Sequence, residues 1–202
     1  MKRFIVGPVL FCIFLSATKV FAEVKIMEDS YRRATFAAGC FWGVEKVFSE
    51  FPGVVSTQVG YTGGTTRSPS YEEVCSGLTG HAEAIEIVYD PAKISYQKLV
   101  EVFFRNHDPT TMDRQGPDIG TQYRSAIFYH DDIQKKSALK ALELLDRAKI
   151  FKRPIVTEVS PAGPFWVAEA THQKYLKKNP QGYCSLQLQS DKIAEILKTD
   201  VS

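Results

Sequence analysis

The chain has 202 residues, 25 Lys and Arg against 23 Asp and Glu, four Cys, and 44% apolar side chains, with no Gly/Pro periodicity. This excludes fibrous and disordered classes, and the length suits one domain with its own core and no metal or disulfide staple. The small positive excess sits in residues 1–22, which carry Lys2, Arg3 and Lys19 and no acid; the remaining 22 basic and 23 acidic side chains are too evenly balanced for nucleic acid to be a partner.

Lys2 and Arg3 precede an apolar run from Phe4 to Leu15, and Val20-Phe21-Ala22 sets branched or small residues at −3 and −1. This is the pattern of a secretory signal peptide cleaved after Ala22, leaving residues 23–202 as a single domain. The run is too short to span ~30 Å of hydrocarbon, so no stable membrane insertion is expected after cleavage, and the mature chain is expected in an exported, periplasmic or extracellular location. Three cysteines remain, Cys40, Cys75 and Cys184. An odd, widely spaced set is a poor disulfide framework, and at least one thiol is expected free or transiently paired. No Cys/His spacing matches a zinc site, so neither a metal nor another cofactor is expected.

Residues 34–38 read as a short buried strand ending at Gly39. Val44, Val47, Phe48 and Phe51 then form a helical stripe stopped by Pro52-Gly53. Val54–Tyr61 reads as a strand, and residues 62–80 as a structured loop. Glu83–Tyr89 alternates as a strand, and Ser95 caps a helix with Leu99, Val100, Phe103 and Phe104 on one face. A polar loop, His107–Gln122, leads to a strand near Tyr123–Tyr129. Asp131 caps a further helix with Ala138, Ala141, Leu142, Leu145 and Ala148 inward, and Ile155–Val159 reads as a last strand. The order β-α-β-β-α-β predicts an α+β, two-layer, split-βαβ (ferredoxin-like) core with a mixed, largely antiparallel sheet. From Pro161 onward only short helical stretches are expected, in a long coil-rich tail that wraps the core.

Cys40 lies at a strand-to-helix turn, in Gly39-Cys40-Phe41-Trp42-Gly43. There the helix dipole and free N–H groups are expected to stabilise its thiolate, and Phe41 and Trp42 to make an apolar pocket beside it. A helix start gains nothing from two glycines unless something approaches the backbone closely. Glu83 shares strand parity with Ile85 and Ile87, so its carboxyl is expected on a buried face, with a raised pKa suited to a general acid. Tyr71, Tyr123 and Asp118 fall in the polar loops, where tyrosine hydroxyls are good neutral donors. His81 reads as a structural histidine and Cys75 as a structural thiol. Cys184, in the Pro/Gly-containing stretch Asn179–Cys184, has the mobility that a resolving cysteine requires. Taken alone, these features fit thiol redox chemistry, a generic thiol–disulfide oxidoreductase lacking the CxxC motif, or a binding module built on Phe41 and Trp42.

GCFWGVE (39–45), GYTGG (60–64), PSYEEVCSGLTGHAEA (69–84), DIGTQYRS (118–125) and NPQGYC (179–184) together resemble the A-class peptide methionine sulfoxide reductases, in order from Ala34 to Cys184. The resemblance implies that Cys40 attacks the sulfoxide sulfur and becomes a sulfenic acid. It implies that Glu83 protonates the oxygen, that Tyr71 and Tyr123 hydrogen-bond it, and that Asp118 assists through water. Phe41 and Trp42 would cage the S-methyl group. Cys184 would resolve the sulfenic acid to a Cys40–Cys184 disulfide recycled by a thioredoxin-like reductant. The implied substrate is methionine S-sulfoxide, protein-bound or free. Val167 and Thr171 stand where relatives often carry Pro and an aromatic, and no segment resembles the B-class enzyme.

Overall fold

A computed structural model describes residues 30–198 of the chain, so the expected signal peptide lies outside the described residues. Strand β1 (Arg32–Ala38) runs through the sheet centre, antiparallel to β3 (Ala82–Tyr89) on one side and to β6 (Ser125–Tyr129) on the other. Strand β2 (Val54–Thr62) pairs with β3 from Val54↔Tyr89 to Thr62↔Ala82. The inner order β6-β1-β3-β2 is that of the split-βαβ core, with α1 (Phe41–Ser49) and α3 (Tyr96–Arg105) as its two helices. Helix α4 (Asp132–Arg147) leads into β7 (Glu158–Pro161), which extends the sheet in parallel beside β6, while β8 (Trp166–Val167) closes the other edge against β2.

The two longest helices begin where the sequence places a cap. Ser95 accepts from the Lys98 N–H to start α3, and Asp131 from the Gln134 N–H to start α4. Four readings are corrected. The last strand expected at Ile155–Val159 begins at Glu158, because residues 150–156 return from α4 as an irregular stretch. The loop over 62–80 contains a one-turn helix, α2 (Tyr71–Cys75), started by a reciprocal capping box between Ser70 and Glu73. The loop over 107–122 contains a two-residue hairpin, β4 (Arg114–Gln115) with β5 (Asp118–Ile119), and ends in a 3-10 turn at Thr121–Tyr123. The helical stretches of the tail are α5 (Tyr175–Lys178) and α6 (Lys192–Lys198), but it also supplies strand β8, where only helical stretches and coil were expected.

The main core lies between the helices and one sheet face. Phe36 of β1 stacks on Phe48 at 5.4 Å and on Phe103 at 5.3 Å, with Ile85, Ile87, Leu99 and Leu145 fully buried around them. Each such side chain contributes about 2–3 kcal/mol on burial. The opposite face is built from small residues, Ala37, Ala82, Ala84 and Ala126 beside Phe128, and the tail covers it with Ala162 and Phe165. His107, fully buried at the end of α3, fastens the long loop to the sheet: Nδ1 donates to the Phe103 carbonyl and Nε2 accepts from the Ser125 hydroxyl, each at 2.7 Å, while the Ser125 and Thr157 hydroxyls lie 2.8 Å apart. His81 is structural, as expected: Nδ1 accepts from the Gly64 N–H and Nε2 donates to the Thr66 carbonyl.

Candidate active site

The site is assembled where β1 gives way to α1. Gly39 turns the chain at φ +88°, and a Cβ there would come within 2.6 Å of the Gln115 side chain. Cys40 follows as the N-cap of α1, its side chain buried and closing no cap hydrogen bond. Burial is the largest influence on its thiol, and with the charge of Glu83 pushes it up to about 12; the Trp42 and Gly43 amides pull back only in part. The expectation of a stabilised resting thiolate is therefore corrected. The helix N-terminus acts in the expected direction, but desolvation outweighs it.

Glu83 is 1% exposed on the Ile85/Ile87 face of β3, as parity predicts. Its Oε2 accepts from the Phe41 N–H at 3.0 Å, so the carboxyl faces the first turn of the helix that carries Cys40. Burial raises it to about 8, against the opposing pull of that N–H, and Asp118 adds a smaller upward push. Near neutral pH it is mostly a carboxylic acid. Tyr71, the first residue of α2, and Tyr123, in the 3-10 turn, both lie within the field of Glu83. Burial, chiefly, holds both hydroxyls protonated. Asp118 on β5 accepts from the Tyr183 hydroxyl at 3.0 Å through Oδ1, while its buried Oδ2 has no hydrogen-bond partner within the described residues. Cys40, Glu83, Tyr71, Tyr123 and Asp118 thus converge from five segments of the chain.

An aromatic wall stands over this group. Phe41 lies 5.9 Å from Tyr61 and 5.3 Å from His172, ring centre to ring centre, and Trp42 stacks on Tyr175 at 3.9 Å. The Trp42 Nε1–H donates to Nδ1 of His172 at 3.1 Å, so the imidazole carries its proton on Nε2, 3.9 Å from Glu169. Burial lowers the His172 pKa and keeps it in that neutral form. Glu169 also accepts from the Tyr61 hydroxyl at 2.8 Å and from the Tyr71 N–H at 2.9 Å. Glu169, His172 and Tyr175 were not among the sequence candidates. Their signal was a cluster of polar and aromatic residues inside AEATHQKY, a stretch read only as tail packing.

The tail also delivers the second thiol. Cys184 is a free, exposed cysteine, and its Sγ lies 2.9 Å from where a Cβ on Gly43 would stand, with Leu186 Cγ at 2.8 Å from the same point. The glycine after Trp42 thus makes room for Cys184, and both sulfurs border the first turn of α1. Cys75 is free and exposed at the end of α2, and lies beside the Tyr71 hydroxyl rather than remote from the site. Among the described residues no cluster of three or more His, Cys, Asp or Glu is placed to hold a metal ion.

Comparison with known proteins gives this arrangement a family. The family model described as "Peptide methionine sulfoxide reductase" matches residues 32–201. The peptide methionine sulfoxide reductase MsrA of Methanothermobacter thermautotrophicus is 54% identical over 156 residues, 77% of this chain and 92% of the relative. Among solved structures, reduced Mxr1 from Saccharomyces cerevisiae superposes with a TM-score of 0.75 at 39% identity, covering 80% of this chain and 94% of that one. Mxr1 in a crystal structure of its complex with Trx2 gives a TM-score of 0.55 at 26% identity, over 80% and 92% of the two chains. A thiol, a neutral carboxylic acid and an aromatic wall meeting at one helix start, on this fold and with these relatives, show that the chain belongs to the peptide methionine sulfoxide reductase family.

Proposed function

We propose that this enzyme reduces the S epimer of methionine sulfoxide, free or within a polypeptide, with Cys40 as nucleophile and Cys184 as resolving thiol. The observation that carries the reading is the pairing of Cys40 with Glu83, a carboxyl neutral near pH 7 and hydrogen-bonded to the Phe41 amide in the same helical turn. A sulfoxide is a poor electrophile until its oxygen is protonated, so sulfur nucleophile and proton donor must face one S–O bond.

The Cys40 thiol loses its proton only as its sulfur meets the sulfoxide sulfur, where the amides of Trp42 and Gly43 face the developing charge. Glu83 gives its proton to the sulfoxide oxygen and takes the thiol proton in exchange, ending neutral as it began. The oxygen passes as hydroxyl to Cys40. Methionine sulfoxide is reduced by two electrons to the thioether, and the thiol is oxidised to sulfenic acid. The Tyr71 and Tyr123 hydroxyls donate to the oxygen as it gains charge. Asp118 assists through water, and Phe41 and Trp42 hold the S-methyl group. Cys184 then attacks the Cys40 sulfur, forming the disulfide and releasing water, and a thioredoxin-like dithiol returns both cysteines to thiols. The yeast relative crystallised with Trx2 supports that last partner.

The same proposal includes export. Lys2, Arg3, the Phe4–Leu15 run and Ala22 support a cleaved signal peptide and repair of oxidised proteins in a periplasmic or extracellular space. Steady-state reduction of each sulfoxide epimer with a dithiol reductant tests the reaction. Turnover of the S epimer alone is expected; equal turnover of both, or of neither, overturns it. An intact N-terminus on the secreted protein would overturn export by cleavage.

A further inference from the structure

A groove of about 520 Å³ lies outside the reacting residues but shares Trp42 with the aromatic wall. It is bounded by one side of α1 from Trp42 to Ser49, the first half of β2 and the start of α5. Strand β8 covers β2 only at Gly60 and Tyr61. At Val59 the edge is completed by the Ala168 N–H, which donates to the Val59 carbonyl at 3.0 Å, and by a side chain: Gln173 Oε1 accepts from the Val59 N–H at 3.0 Å and its Nε2 donates to the Val59 carbonyl at 2.8 Å. Two residues earlier, strand alternation turns the N–H and C=O of Thr57 to the same side, and Thr57 lines the groove with no strand beside it among the described residues. An open edge of this kind is a template for an added strand.

Charge around the edge is lopsided. Lys46, Lys174 and Lys177 line the groove with Glu50 and Glu45. The Glu45 carboxylate is turned inward, accepting from the Thr57 hydroxyl at 3.0 Å and the Lys174 N–H at 2.6 Å. Lys46 and Lys177 are exposed and make no ion pair among the described residues. A strand laid here meets backbone groups on one side and, on the other, three lysines against one outward-facing carboxylate, Glu50.

We propose that this groove receives the polypeptide flanking the oxidised methionine, laid as an extended strand along β2, with acidic side chains of that stretch against Lys46 and Lys177. The proposal rests on the reductase reading above and gives it a substrate class: extended, acidic segments of oxidised proteins, where a free amino acid engages the aromatic wall alone.

The test compares kcat/KM, with dithiothreitol as reductant, for N-acetyl-methionine S-sulfoxide and for two peptides of about ten residues. One peptide flanks the sulfoxide with Asp and Glu, the other with Lys. The wild-type enzyme is expected to favour the acidic peptide about tenfold over the basic one, and to lose that preference at high salt. In the double variant Lys46→Glu/Lys177→Glu, the ratio of acidic peptide to amino-acid derivative falls at least tenfold and the basic peptide becomes the better of the two. Activity on the derivative with no discrimination between peptides, in wild type and variant alike, overturns the groove alone. A variant altered only in its reduction by a thioredoxin-like protein assigns the groove to the reductant and also overturns it. No activity on any of the three substrates overturns the reductase reading, and the groove with it. The salt dependence of the wild-type preference needs no variant and decides the same point if the double variant fails to fold.

Discussion

At the scale of single residues, the site is governed by desolvation. Glu83 has its folded-state pKa raised to about 8 from the ordinary 4.5. Its contribution to stability is therefore fully present below about 4.5 and is lost as pH rises through 8. Glu83→Gln keeps an oxygen to accept the Phe41 N–H but cannot ionise, so its melting temperature is expected to overtake that of wild type above pH 8. The same variant is expected to lose about 10²–10⁴-fold in the single-turnover rate of methionine formation. Thermal melts at pH 6 and 9, with rapid quench on the same samples, check both. A variant that keeps the rate, or loses stability at pH 9, contradicts the role of a buried neutral acid. The Cys40 thiol, held near 12, is expected to react with iodoacetamide at pH 8 far more slowly than exposed Cys184. Peptide mapping of the alkylated protein reads the order, and faster labelling of Cys40 would contradict the burial argument. Glu83 was legible in the sequence because parity with Ile85 and Ile87 implies burial. The balance at Cys40 was not, because the helix end is visible in sequence while the side chains that exclude water from its sulfur come from distant segments.

At the scale of elements, the first turn of α1 is where the two half-reactions meet. Gly43 leaves room for Cys184, so Gly43→Ala drives a methyl into Cys184 Sγ and Leu186 while improving helix propensity by about 1 kcal/mol. Sulfenic acid formation is expected to persist, with one methionine released per enzyme, while disulfide closure slows at least tenfold. Trapping with dimedone during single turnover reads this directly: more trapped sulfenic acid than in wild type is expected, and an unchanged yield would place the approach of Cys184 elsewhere. The glycine signal in GCFWG was legible as a demand for close approach, though what approaches was not. The split-βαβ order was legible because its strands and helices carry clean period-two and 3.6 patterns. One-turn α2 and two-residue β8 are too short to show a period. The spacing of Ser70 and Glu73, a capping box in the structure, was the one local signal for α2, and it went unread in the sequence. The tail contributed its polar contacts to the site without any period, so Glu169, His172 and Tyr175 emerge only from the fold.

At the scale of the whole molecule, the long loop that carries Asp118 and Tyr123 is fastened through one fully buried imidazole. Burial holds His107 at about 4, below its ordinary 6.5. The unfolded chain therefore binds the extra proton first, and stability drops as pH falls from about 6.5 through 4, by about 3 kcal/mol for this group. Denaturant titrations at pH 7 and 4.5 are expected to show that slope in wild type and a shallower one in His107→Gln, where no imidazole titrates. Equal slopes would show that other groups carry the acid sensitivity. The central claim is that oxygen leaves the substrate onto Cys40 and that Cys184 resolves it. It is tested most directly by mass spectrometry of the fully reduced protein after one turnover with each sulfoxide epimer, without reductant. Loss of two hydrogens with the S epimer only, mapped to a Cys40–Cys184 disulfide, is the result expected. A disulfide joining Cys40 to Cys75, an equal change with the R epimer, or an unchanged mass would contradict it.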